Sequence, residues 1–104
     1  MSAVANPHRG EAELSVHGRA LTLRPSFAAL VAAEEELGPL FALVERASKG
    51  ELRLAEMAGL FWHCLTDRDE LSRDALGEAV LGMGLAACAG PLRALLRQIL
   101  RGAQ

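Results

Sequence analysis

The sequence predicts an α+β protein that is mainly α, with an N-terminal β-hairpin followed by four to five short packed helices. Three observations carry that expectation. Residues 11–24 alternate apolar and polar side chains on both sides of a His17-Gly18 turn signal. From Pro25 onwards apolar residues recur every three to four positions, in stretches with their own start and stop signals. The composition is 51% apolar but holds one Trp, three Phe and no Tyr, so the core must be mostly Leu, Ala and Val, as in packed helices. A chain of 104 residues fits one domain, assigned to residues 11–104. Residues 1–10 are small, polar and interrupted by Pro7 and Gly10, and read as a flexible N-terminal arm.

In the hairpin, Glu11 to Val16 and Arg19 to Arg24 alternate, and Gly18 accepts the positive φ of a two-residue turn. That register sets Leu14 opposite Leu21 and Ala12 opposite Leu23 on one face. On the other it sets Glu13 opposite Thr22 and Glu11 opposite Arg24. A two-stranded ribbon is marginal alone, so its apolar face must pack on helices, and its unpaired edges leave room for another chain.

The opening helix has its limits written out. Pro25 biases Arg24 towards extended backbone, Ser26 offers an N-cap, and Gly38-Pro39 supplies a left-handed stop and a block. Phe27, Leu30, Val31 and Leu37 give the expected buried face, with Glu34 in its middle, Glu35 at its edge and Glu36 opposite. A carboxylate on a buried stripe needs water or a partner. Glu34 therefore either reaches solvent from the last turn or forms a buried ion pair with Arg24 or Arg46. Three acids at this end oppose the helix macrodipole, so local helix stability does not account for them.

Pro39 to Ser48 reads as a second short helix with Leu40, Phe41, Leu43, Val44 and Ala47 on one face, closed by Lys49-Gly50. A third runs from about Arg53 to Leu65, with Leu54, Met57, Leu60, Phe61, Cys64 and Leu65 sharing a face. Trp62 falls about 140° from Met57, off that stripe. It either packs beneath the hairpin or a neighbouring helix, or stands as an exposed anchor, a role in which Trp is over-represented. Ser72 can cap a fourth helix from Arg73 to about Met83. The last helix starts at Leu85 or at Pro91 and runs to Arg101, with Pro91 in a first turn or kinking a longer helix. Leu92, Leu95, Leu96, Ile99 and Leu100 form its stripe, flanked by Arg93, Arg97 and Arg101. That row is either a solvated face, favourable near a helix C-terminus, or a docking site for an acidic partner. The expected core comprises Leu14, Leu21, Phe27, Leu30, Leu43, Leu60, Phe61, Val80 and Leu96.

Composition narrows the function classes. A formal net charge of −2 gives no general drive towards nucleic acid. No apolar run reaches membrane-spanning length, and the first ten residues lack the apolar core of a secretory signal. These features point to a bacterial-type cytoplasmic protein, or one later built into a particle. Cys64 and Cys88 make no disulfide framework and fall on apolar stripes, as buried thiols do. His63 and Cys64 are adjacent and diverge on a helix, so no metal site is expected, and no cofactor either. Asp67 and Asp69 open nothing that continues as a calcium loop. Gly82-Met83-Gly84 follows no strand and lacks the third glycine of a dinucleotide fingerprint. His8, His17 and His63 sit in an arm, a turn and a helix, and neither nucleophile elbow nor P-loop is present, so no enzyme is expected.

The stretches RPSFAALVAAEEELG, LFALVERASKG and LAEMAGLFWHCL carry a resemblance to the small gene transfer agent protein family, related to tail-tube and tail-assembly-chaperone proteins of long-tailed phages. It covers roughly Asn6 to Leu65 and, more loosely, the remainder. It implies a helper in building a phage-like tail, a tail assembly chaperone whose partners are the tape-measure protein, the tail-tube protein or both. The residues themselves favour an interaction protein, through the isolated hairpin, the off-stripe Trp62 and the segregated Glu and Arg rows. The expected partner surface is Trp62 with Leu92 and Leu95 in an apolar groove and Arg93 and Arg97 on its rim. A homo-oligomer through the hairpin edge or flanking helices is the further expectation. The alternative by architecture is a small helix-turn-helix-like DNA-binding regulator, against which the acidic helix and net negative charge weigh.

Overall fold

In a computed structural model the described residues are 11–16, 18–68 and 71–102. Two antiparallel strands, β1 (Ala12–Val16) and β2 (Arg19–Leu23), precede five helices: α1 (Phe27–Leu37), α2 (Leu40–Ser48), α3 (Leu54–Cys64), α4 (Arg73–Met83) and α5 (Leu85–Arg101). The α+β, mainly α, class read from the sequence is the one observed. The expectations for the arm at residues 1–10 and for His17 lie outside the described residues.

The hairpin register is the expected one: Leu14 faces Leu21, Ala12 faces Leu23 and Glu13 faces Thr22. Gly18 takes φ 76°, the left-handed value that a tight turn requires. Ala12, Leu14, Val16, Leu21 and Leu23 are buried against the helices, with α4 and α5 packed on β1. The outer edge of β2 is not open. Arg24 N–H donates to the Cys64 carbonyl at 2.7 Å and Thr66 N–H donates to the Thr22 carbonyl at 3.1 Å, so the chain leaving α3 adds one bridge, Leu65 to Leu23. The hairpin edge expected to serve self-association is thus covered on this side by the chain itself.

Both expected side-chain N-caps form. Ser26 Oγ accepts from Ala29 N–H at 3.2 Å, and Ser72 Oγ accepts from Ala75 N–H at 3.0 Å. Pro91 lies inside α5, which runs without a break from Leu85, so the longer of the two expected helices is the one formed.

The face of α1 differs from expectation. Ala33 is fully buried, and Ala29, Leu30 and Leu37 pack against the core. Phe27, assigned to the core by spacing, is 85% exposed, and Val31 is exposed as well. The helix is rotated so that its small residues meet α3 while Glu34 and Glu35 turn outwards. Burying two carboxylates would cost more than exposing one Phe, whose full burial stabilises by only about 1.5–3 kcal/mol. Leu43 is buried, but outside the main core cluster, and Leu96 is half-buried at its margin.

Candidate functional site

The acids at the end of α1 have separate tasks. Glu34 is exposed and its Oε2 accepts from Leu40 N–H at 3.1 Å. Leu40 opens α2 behind Pro39, which has no side-chain acceptor, so Glu34 does the work of the missing N-cap. A charge unfavourable at the end of its own helix is favourable at the start of the next. The buried ion pair of Glu34 with Arg24 or Arg46 does not form. Arg24 is exposed, and Arg46 forks onto Glu56, with both nitrogen–oxygen distances at 2.7 Å. Arg46 and the Arg53 backbone amide together hold the Glu56 carboxyl down to about 2. This pair fastens α2 to the start of α3.

Glu36 joins three helices. Its carboxylate receives the two terminal nitrogens of Arg73 on α4, Nη1 at 2.7 Å, and lies 2.7 Å from Nε2 of His63 on α3. An ionised carboxylate only accepts, so Nε2 carries the proton. Arg73 first, and His63 second, hold the Glu36 carboxyl down to about 2. Two of the three acids of α1 are therefore partnered; Glu35 is exposed with no partner among the described residues.

The expected partner surface divides in the structure. Leu92, Arg93 and Arg97 come together on one wall of an open groove of about 540 Å³ between α2 and α5. Val44, Ala47 and Ser48 form the other wall, and Leu96 and Leu100 extend the apolar floor. A smaller pocket of about 200 Å³ continues past Ala47 and Leu92 towards Leu52, Met57 and Leu85. The groove exists because α2 rests chiefly on α1, whereas α5 is drawn against α4 and β1. Leu95, expected in the groove, is fully buried and with Cys88 anchors the adjoining face of α5 in the core. Trp62 does not line the groove. It is half-buried on the core, its ring lies 4.6 Å from the Arg68 guanidinium, and Arg68 Nε donates to the Trp62 carbonyl at 3.2 Å. That stacking covers the indole as a partner would.

Sequence spacing missed Val44 and Ala47 as site residues and placed Leu96 in the core. Each was visible on an apolar stripe, but their shared groove depends on how far apart α2 and α5 are held.

Both cysteines lie in the core. Burial pushes the Cys64 thiol up to about 12 and raises that of Cys88, leaving both protonated and enclosed. Among the described residues no cluster of three His, Cys, Asp or Glu is placed to hold a metal, and no single helix is long and apolar enough to cross a membrane.

Residues 9–102 match the family model described as phage tail tube protein, GTA-gp10. The chain belongs to that family. The match extends beyond the three stretches that carried the resemblance and takes in α4 and α5, so this gene transfer agent tail protein has its groove inside the family region. No curated protein and no solved structure matches the chain.

Proposed function

We propose that this tail-family protein is a non-enzymatic assembly factor, a tail assembly chaperone that docks an amphipathic helical segment of the tape-measure protein, the tail-tube protein or both. The observation that carries this reading is the α2/α5 groove. Its floor is aliphatic and its α5 rim presents Arg93 and Arg97, which have no ion-pair partner among the described residues. A helix laid there would bury its apolar stripe on Val44, Leu92, Leu96 and Leu100 and set acidic flanking residues against the arginines. A long helical chain with apolar stripes aggregates until it is enclosed, and a groove of this kind shields such a stripe. The rim charges govern association rate and salt dependence, and reversing both to Glu sets like charges against the acidic flank of the incoming helix, a juxtaposition that costs several kcal/mol.

The test is capture of the tail proteins encoded beside this chain, using wild type, Val44→Glu and Arg93→Glu/Arg97→Glu, each shown to be folded by circular dichroism. The expected result is capture by wild type and its loss in both variants. Capture unaffected by either variant would refute the groove, and no capture by wild type would refute the chaperone reading. Salt-dependent retention on DNA, reversed by the arginine substitutions, would replace it with the DNA-binding alternative.

A further inference from the structure

The exposed side of α1 is the chemical complement of the groove. Phe27, Ala28, Val31, Glu34 and Glu35 are its exposed residues apart from Glu36. At about 100° per residue these five fall within one third of the helix circumference. The first half of that stripe is apolar, with Phe27 85% exposed, and the second half is acidic. Isolated exposed apolar residues need no explanation, but here Phe27, Ala28 and Val31 adjoin one another. Glu34 is engaged with Leu40, while Glu35 has no partner among the described residues. The groove offers the opposite set: an aliphatic floor ending at Leu100, itself 57% exposed, beside Arg93 and Arg97. The two lengths agree, since Phe27 to Glu35 and Leu92 to Leu100 are each nine residues, eight steps or about 12 Å of helix.

We propose, on the reading that the α2/α5 groove docks a helix, that its occupant before a tail partner arrives is α1 of a second copy of this chain. Phe27 and Val31 enter between α2 and α5, and Glu35 meets the Arg93 and Arg97 rim. Self-association and partner loading then exclude one another, so the groove is shielded in storage and opened by exchange. The two patches differ, which makes the contact heterologous: a bound pair still presents one free α1 face, on one copy, and one free groove, on the other. A single helix in a groove buries less than a standard stable interface, so the association is weak and concentration-dependent.

Sedimentation equilibrium on the full chain tests this, with wild type, Phe27→Ser and Arg93→Glu/Arg97→Glu. All three substituted side chains are solvent-exposed, so the variants should fold, as circular dichroism will check. Wild type is expected to gain mass with concentration, while each variant alone stays monomeric. An equimolar mixture pairs the intact groove of Phe27→Ser with the intact α1 of the arginine variant, giving a two-chain species that grows no further. Wild type that remains monomeric up to about 1 mM overturns the inference. So does a variant that associates like wild type, or a mixture that fails to recombine. Tail-protein capture separates this inference from the reading beneath it: Phe27→Ser should capture as much as wild type or more, whereas the arginine variant should capture none. If Phe27→Ser captures normally while wild type is monomeric, only the second-copy occupant fails.

Discussion

Gly59→Ala is the substitution in which opposing effects can be weighed from the structure. Gly59 lies where α3 passes Leu37 and Arg73; a Cβ there would stand 2.8 Å from Arg73 Nη2 and 3.2 Å from Leu37 Cδ2. Alanine is favoured over glycine in a helix interior by about 1 kcal/mol. Against this, the methyl must push the Arg73 guanidinium off Glu36. Each side chain of that pair is 40% exposed, so its loss costs only about 0.2–1 kcal/mol. Leu37 must also yield by a few tenths of an ångström, at a cost below the about 1–3 kcal/mol of a full overpacked methylene. The single substitution should therefore lie within about 1 kcal/mol of wild type. The informative quantity is its change of effect in an Arg73→Ala background, where the ion pair is already absent and only Leu37 resists. There Gly59→Ala should be more favourable by about 0.2–1 kcal/mol, equivalent to about 1–8 °C in Tm for a domain of this size. Urea denaturation of the four proteins, followed by circular dichroism and Trp62 fluorescence, supplies the cycle. A coupling of zero would mean that Arg73 does not lie over Gly59, and the three-helix junction at Glu36 would have to be redrawn.

Three further outcomes are expected. Leu95→Ala should cost about 2–5 kcal/mol in urea unfolding, because the side chain is fully buried, while Leu100→Ala should change stability by about 0.5 kcal/mol or less; equal effects would contradict the orientation of α5. The Glu36 and Glu56 carboxyls are held down to about 2 from an ordinary 4.5, so their folded values lie below their unfolded ones. Their contribution is accordingly complete above about pH 5 and is lost as pH falls through 4.5 towards 2; Glu56→Gln should flatten that limb of a stability–pH profile, and an unchanged limb would count against the Arg46 pair. Cys64 and Cys88 should resist a disulfide-exchange reagent in the native protein and react together on unfolding, and rapid native labelling of either would contradict its burial.

The sequence by itself determined the elements and most of their ends. Local chemistry suffices there: Ser26 and Ser72 each cap the amide three residues on, Gly18 supplies the turn, and strict alternation fixes which hairpin face is apolar. Leu14, Leu21, Leu60, Phe61 and Val80 were assigned to the core on the same grounds and lie there. Tertiary structure decided what periodicity leaves open. Phe27 and Ala33 compete for the inward side of α1, and the outcome depends on how closely Leu37 and Gly59 let α1 approach α3 and on where Glu34 and Glu35 find water. The groove follows the same logic. Leu92, Leu95 and Leu96 are equivalent members of one stripe in the sequence, but only packing of α5 on α4 and β1 buries Leu95 and leaves Leu92 and Leu96 to face α2. Ion pairs are the least legible, because Arg46–Glu56 and Arg73–Glu36 bridge 10 and 37 positions and form only where the packed helices bring their ends together.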